Sequence, residues 1–351
     1  MNARLFLEDG SVFHGKAFGK ERSVAGEVVF NTGMVGYPET LTDPSYAGQI
    51  LVLTYPLIGN YGIPADEMEN GISRVFESDK IQISGLVVSE VSHHFSHWSA
   101  RQSLDAWLKA HNIPAISGID TRKLTQLLRT KGAMLGKLIF EEEHIEFYDP
   151  NKENLVAGVS CRKPLSYGSG DKTVVLIDCG CKNNIIRSLV KRGVRVRRVP
   201  WNWSPGKEKF DGVVISNGPG DPRQCVQTTD TIRQLIANDV PIFGICLGSQ
   251  LLALAAGAQT YKLKYGHRSQ NQPCIRVKSN RCFITSQNHG YAVDENTLPA
   301  EWEPWFFNAN DGTNEGIRHR NKPFFAVQFH PEAHPGPVDT QFLFDEFIQL
   351  L

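Results

Sequence analysis

The sequence predicts an α/β protein in two parts: a C-terminal domain with a doubly wound, mostly parallel sheet, preceded by a mixed α/β N-terminal domain. Three observations predict it. The chain has 351 residues, the length of about two domains at roughly 150 residues each. From Thr173 onward, short apolar runs alternate with helical patterns, the rhythm of a parallel sheet covered by helices. Before that, short strands and turn signals dominate.

The N-terminal elements follow from local chemistry. Leu5 to Leu7 and Val12-Phe13 flank Glu8-Asp9-Gly10-Ser11, a hairpin with a D-G turn. Val28-Val29-Phe30, Ile50 to Leu53 and Ile83 to Val88 are further short strands. Ser99 is a candidate cap for a helix carrying Leu104, Trp107 and Leu108 at helical spacing. Asp120 or Thr121 caps a second helix with Leu124, Leu127 and Leu128 on one face, and Gly132 stops it. The polar stretch 151–171, led in by Glu141-Glu142-Glu143, reads as the linker between domains 1–150 and 172–351.

In the second domain, Thr173 to Ile177 is a short, fully apolar run, as in a buried parallel strand. Ile185, Ile186, Leu189 and Val190 make a helical pattern, and Val194 to Val199 an alternating strand whose arginines point to solvent. Val213-Val214-Ile215 and Pro241 to Ile245 are strands, and Thr231 to Ala237 and Gln250 to Ala256 helices. Phe342 to Leu350 closes the chain as a helix. In such a sheet, ligands gather at the carboxyl ends of the strands.

Composition excludes several function classes. Lys+Arg and Asp+Glu are both 37, so there is no basic excess for nucleic acid. Hydrophobic residues at 41% and charged residues at 21% argue against disorder. The longest apolar run, Leu251 to Ala258, is far short of the ~18 residues of a membrane span. Glu8 and Asp9 interrupt the N-terminus before a signal sequence could form. The seven cysteines are odd in number and none precedes Cys161, so a reducing, cytoplasmic setting is expected. The C-x-C pair Cys179 and Cys181 lacks a partner pair at finger spacing, and no metal site is expected.

Four segments carry chemistry. Gly244-Ile245-Cys246-Leu247-Gly248 has the G-x-nucleophile-x-G form between a predicted strand and a predicted helix. The helix N-terminus behind Cys246 favours a thiolate. A cysteine nucleophile needs a base and a group to orient it. Phe325 to Glu332 supplies both: His330 as base, and Glu332 two residues on, on the same face if Pro331 keeps the backbone extended. Ser216-Asn217-Gly218-Pro219-Gly220-Asp221-Pro222 is a tight turn after a strand that can aim backbone N–H groups at an oxyanion, with the Leu247 N–H as second donor. Gln287-Asn288-His289-Gly290-Tyr291 reads as a polar, turn-like segment, either an ordinary turn or a binding loop. His289 has no carboxylate partner nearby in sequence and reads as structural. His93-His94-x-x-His97 reads as a solvated loop. Gly132 to Lys137 is one residue short of a phosphate-binding loop, with Leu138 in place of Ser/Thr.

GICLGSQ, SNGPGDP, SQNHGYAV and QFHPE, in this order, resemble a class I (triad) glutamine amidotransferase domain. GEVVFNTGMVGYPETLTDPSYAGQILVLTYPLIGNYG and SGIDTRKLTQLLR resemble the N-terminal domain of the carbamoyl-phosphate synthetase small-subunit family. The resemblance covers essentially the whole chain. It implies that Cys246 forms a γ-glutamyl thioester, that His330 shuttles protons, that Glu332 orients it, and that Gly218 and Leu247 form the oxyanion hole. It implies glutamine contacts at Ser45, Gly218, Gly220, Leu247, Gln250, Asn288, Gly290 and Tyr291. It also implies a large-subunit partner in a small–large heterodimer or a higher assembly. That partner would use ATP and Mg, with no cofactor in this chain, and would receive ammonia through an internal tunnel to make carbamoyl phosphate for pyrimidine and arginine synthesis. Ser249 departs from the family, which usually has His there, and Tyr291 stands where many members have Phe. Two other readings compete: a catalytically silent scaffold subunit and a stand-alone γ-glutamyl cysteine hydrolase.

Overall fold

The computed structural model describes residues 2–141, 143–206, 208–279 and 281–351; Glu142 of the acidic run lies outside them. Contacts divide the chain into two units. The first takes in residues up to Glu69 together with Ser73–Glu153, the second Asn70–Ile72 with Asn154–Leu351.

The first unit is built on a closed seven-stranded barrel: β1 (Asn2–Leu7), β2 (Val12–Gly19), β3 (Val24–Asn31), β4 (Gln49–Leu53), β5 (Gly85–Val87), β6 (Pro114–Ser117) and β7 (Met134–Phe140), in the order β1-β7-β3-β4-β5-β6-β2. Period-two alternation fills it. Val29, Leu51, Leu53, Leu86 and Ala115 join one core cluster with Leu104, Trp107 and Leu108 of helix α1 (Leu104–Ala110). The intervening residues Val28, Ile50, Val52 and Ile116 are also buried and point the other way, as in a small barrel filled by side chains. Closure was not foreseen from sequence. The stretch that resembled a phosphate loop runs into β7, where Gly136–Leu138 are paired on both sides. The cap of α1 is Ser103, which accepts from the Ala106 N–H, and not Ser99. Ala100–Gln102 pairs as a strand with Ile63–Pro64, so the helix cannot begin earlier. Asp120 caps α2 (Thr121–Lys131), accepting from the Lys123 N–H at 2.8 Å, and Gly132 ends it at φ +113°.

The second unit holds a ten-stranded sheet. Its strands are β8 (Leu165–Tyr167), β9 (Thr173–Asp178), β10 (Arg195–Pro200), β11 (Gly212–Ile215), β12 (Ile242–Ile245), β13 (Gln259–Arg276), β14 (Cys282–Asp294), β15 (Trp302–Asn308), β16 (Asn314–His319) and β17 (Phe324–Val327), in the order β8-β10-β9-β11-β12-β17-β16-β15-β13-β14. The five strands β10-β9-β11-β12-β17 run parallel. The sheet is extended on both sides by antiparallel strands, so the whole is mixed, with a parallel centre. The centre is doubly wound. Val174, Leu176, Val214, Phe243 and Phe325 pack with Ile185, Ile186 and Leu189 of α3 (Asn183–Val190) and Phe344 and Phe347 of α6 (Phe342–Ile348). Their neighbours Val175, Ile177, Val213, Ile242 and Phe324 pack on the opposite face with Ile232 and Leu235 of α4 (Val226–Ala237) and Leu251 and Leu252 of α5 (Leu247–Ala256).

Two expectations need correction here. The stretch 151–171 is structured in part: Val156–Val159 is a short helix, and β8 pairs antiparallel with β10. The Arg198 side chain is not solvated. It is mostly buried against Asp178, 2.7 Å from the carboxylate, because β9 and β10 are parallel neighbours at the sheet centre.

Helix α5 lies very close to the sheet. A Cβ on Gly248 would stand 2.2 Å from the Ile215 carbonyl oxygen, and one on Gly244 would stand 2.6 Å from the Gly248 oxygen. Both neighbours are backbone and cannot step aside. Gly248→Ala is therefore expected to cost on the order of 1–3 kcal/mol by overpacking, whereas Gly158→Ala, with nothing within 4 Å, leaves stability unchanged or slightly higher. Denaturant midpoints of the two variants check this; equal midpoints would contradict the close approach.

Candidate active site

The site is assembled where three strands of the second unit end at their carboxyl termini. β12 runs into Cys246, which takes φ +56° and ψ −106° and begins helix α5. A non-glycine residue there is strained. The conformation is held by the Cys246 N–H donating to the Val327 carbonyl at 2.8 Å and by the glycines on either side. The elbow turns Sγ toward β14 and β17: the Asn288 carbonyl lies 3.6 Å away, and the Gln328 amide nitrogen 3.7 Å. The Leu247 N–H is the first of α5 and has no partner within the helix. The turn after β11 brings Gly218 against it, since a Cβ on Gly218 would lie 2.8 Å from Leu247 Cδ2 and 2.0 Å from the Cys179 oxygen. Gly218 therefore lies against the residue that follows the nucleophile.

β17 delivers His330, which is bridged to Ser286 by its N–H donating to the Ser286 carbonyl at 2.9 Å. His330 Nδ1 is 2.6 Å from Glu332 Oε1, so the pair forms as expected. The route differs: the backbone after His330 is not extended. The Ala333 N–H donates to the His330 carbonyl at 3.1 Å, closing a turn with Pro331 at its second position, where proline's fixed φ fits. His330 Nε2, on the far side of the ring, is buried and makes no hydrogen bond, which leaves it for the thiol. Burial alone would lower the His330 pKa; the Glu332 carboxylate and Cys246 outweigh it and push it up to about 10. Burial alone would raise the Glu332 pKa; Lys182 and His330 overrule it and hold the carboxyl down at about 2.

Lys182 was missed from sequence. Its Nζ lies 3.1 Å from Glu332 Oε1 and donates to the Ala333 carbonyl at 2.5 Å, with its side chain 4% exposed. It follows β9 in a turn where Asp178 accepts from the Gly180 and Cys181 N–H groups, and its own N–H donates to Asn217 Oδ1 at 3.0 Å. Its position at a strand's carboxyl end was the available signal. Gln328 was missed too. The Gln250 amide nitrogen donates to both Gln328 Oε1 and the Tyr291 carbonyl, so Gln250 braces the site from within.

The segment Gln287 to Tyr291 is not a turn. It lies inside β14, paired with β13. Asn288 meets Cys246 through its carbonyl, and Gly290 and Tyr291 follow on the same strand. Gly220, at φ +83°, shapes the turn after Gly218. Ser249 is fully buried and its hydroxyl has no hydrogen-bond partner. Ser45 belongs to the first unit, buried on the 3-10 turn Pro44–Tyr46, its N–H donating to Asp43 Oδ1 at 2.9 Å. His93, His94 and His97 are exposed, as a solvated loop requires.

This arrangement fits nucleophilic acyl transfer, and comparisons with known proteins agree with it. The family described as glutamine amidotransferase class-I matches residues 175–350, and that described as carbamoyl-phosphate synthase small chain, CPSase domain, matches residues 5–138. The chain is 56% identical to "Multifunctional protein CAD" of Squalus acanthias, across 99% of this chain and 16% of that one. It is 52% identical to "Carbamoyl-phosphate synthase [ammonia], mitochondrial" of Homo sapiens, across 99% and 24%. It is 51% identical to "Carbamoyl phosphate synthase arginine-specific small chain" of Aspergillus fumigatus, across 99% and 79%. The chain thus spans under a quarter of the length of the first two relatives and most of the third.

The buried charges set a pH dependence. The raised His330 pKa contributes stability that is complete below the ordinary 6.5 and is lost as pH rises through about 10. The depressed Glu332 pKa contributes stability that is complete above 4.5 and is lost as pH falls through about 2. Glu332→Gln removes the carboxylate that holds His330 protonated. Its stability, measured by denaturation from pH 6.5 to 10, is expected to fall less steeply than that of the unsubstituted protein. An equal slope would contradict the pairing.

Proposed function

The chain belongs to the carbamoyl-phosphate synthase small-chain family, with a class-I glutamine amidotransferase domain as its second part, and on that premise we propose that it hydrolyses L-glutamine to glutamate and ammonia. The observation that carries the reading is the strained elbow holding Cys246 beside the buried His330–Glu332 pair. Cys246 Sγ attacks the side-chain amide carbon of glutamine. The oxygen of the tetrahedral intermediate is held by the Gly218 and Leu247 N–H groups. His330 gives its Nε2 proton to the departing nitrogen, and ammonia leaves a γ-glutamyl thioester on Cys246. His330 then takes a proton from water, which attacks the thioester, and glutamate and the thiol are released. Glu332 fixes the ring through Nδ1, and Lys182 holds Glu332 ionised. Asn288, Gly290, Tyr291, Gly220 and Gln250 frame the glutamine.

We further propose that the ammonia is handed to a large subunit that uses ATP, Mg and bicarbonate to make carbamoyl phosphate. This chain would then act in a small–large heterodimer or a higher assembly, in the cytoplasm, feeding pyrimidine or arginine synthesis. Among the described residues, no helix is long and apolar enough to cross a membrane.

The silent-scaffold reading is kept because one relative is named for ammonia. Cys246→Ser separates the two. Glutamine-dependent carbamoyl phosphate formation in the assembled enzyme is expected to fall at least a thousandfold, while the ammonia-dependent reaction is retained. Equal glutamine-dependent rates would overturn the proposal. A high rate on γ-glutamyl peptides with no stimulation by a large subunit would favour the stand-alone hydrolase.

A further inference from the structure

Behind β14, on the strand that carries Asn288, three buried side chains converge. His267 of β13 and His289 of β14 are directly opposed cross-strand partners, and Glu315 comes from β16. Glu315 Oε1 lies 3.2 Å from His267 Nδ1 and 3.5 Å from His289 Nε2. The three ligand atoms lie within 4.8 Å of one another. All three residues are buried, and the other Glu315 oxygen has no hydrogen-bond partner.

The outer nitrogen of each ring is already committed. His267 Nε2 is 2.8 Å from the Asp311 carboxylate, so it must carry a proton. His289 Nδ1 is 2.9 Å from the Tyr291 carbonyl, which can only accept, so it carries one too. The inner nitrogens can face the carboxylate as donors only if both rings are cationic, with centroids 4.9 Å apart in a buried space. A neutral His289, its one ring proton on Nδ1, presents Nε2 as a bare lone pair. That lone pair faces two acceptors, Glu315 Oε1 and Gln287 Oε1, the latter at 3.3 Å. Gln287 cannot easily answer with its amide nitrogen, which donates to Thr285 Oγ1 and Cys274 Sγ.

We propose that His267, His289 and Glu315 form a binding site for a divalent transition-metal ion of the zinc type, with the Gln287 carbonyl oxygen as fourth donor. Tetrahedral ligands about 2.0–2.1 Å from zinc stand ~3.3 Å apart, close to the 3.2, 3.3 and 3.5 Å of three of the pairs here, with the histidine and glutamate ligand atoms all inside 4.8 Å. Outer nitrogens donating to a carboxylate and to a backbone carbonyl are the outer-shell contacts of metal-bound histidines. Two imidazoles with a carboxylate suit zinc better than magnesium or calcium, which prefer all-oxygen sites. The ion would pin His289 between Asn288 and Gly290 and so brace the strand whose Asn288 carbonyl meets Cys246 Sγ. The site is independent of the glutamine reading. No spacing in the sequence foreshadows it, because its ligands come from three strands.

The test is Co²⁺ binding to the chelator-treated full chain, read by metal content and visible absorption. One Co²⁺ per chain is expected, with a nitrogen–oxygen spectrum lacking a thiolate charge-transfer band, unchanged in Cys246→Ser. Glu315→Gln is expected to lose it. Asp311→Asn, altered outside the packed cluster, is expected to weaken it by 10–100-fold, and it decides the matter if Glu315→Gln does not fold. No stoichiometric Co²⁺, a thiolate band lost with Cys246, or Asp311→Asn binding as tightly as the unsubstituted chain would overturn the proposal.

Discussion

The backbone strain at Cys246 is the constraint on which the rest of the second unit depends. A residue with a side chain is held at φ +56°, a conformation that costs about 1–3 kcal/mol and persists only where its surroundings over-determine it. They do so through glycine. Gly244 and Gly248 let α5 descend onto β11 and β12 until backbone meets backbone, and the Val327 carbonyl takes the Cys246 N–H. The parallel centre of the sheet, with helices packed on both faces, supplies the rigidity that maintains this geometry. The thiol is thereby fixed at the strand ends, beside an unpaired helix N–H, without depending on a mobile loop.

The second requirement is electrostatic. Glu332, His330 and Lys182 are all nearly or fully buried, and any one of these charges alone would be costly there. As a chain of contacts they support one another: Lys182 and His330 both hold Glu332 ionised, and Glu332 holds His330 protonated. The imidazole is thus oriented and charged before substrate arrives. The turn through Pro331 makes this possible by folding Glu332 back onto the ring it follows.

Much of the second unit was legible because its signals are local. Val174 to Ile177 alternate between two buried faces, and an apolar run that short in an alternating series reads as a parallel strand. The nucleophile elbow and its histidine were legible because spacing and context coincide. What was not legible depends on distant pairing. Strands β13 and β14 carry many polar residues, such as Ser269, Gln272, Gln287 and Asn288, so their strand character comes from partners and not from propensity. Barrel closure in the first unit depends likewise on β1 meeting both β2 and β7. His289 seemed to lack a carboxylate because Glu315 stands in another strand. Lys182 carried no spacing signal toward Glu332, from which it is separated by most of the unit's sequence.

The most direct measurement is to quench the protein with acid during turnover of labelled glutamine and locate the label by peptide mass spectrometry. A γ-glutamyl thioester, cleaved by hydroxylamine, is predicted on the peptide bearing Cys246, and in lower amount when Gly218 N–H alignment is disturbed by Gly218→Ala. Turnover with no adduct at Cys246, or with the label on another residue, would contradict the role assigned to the elbow.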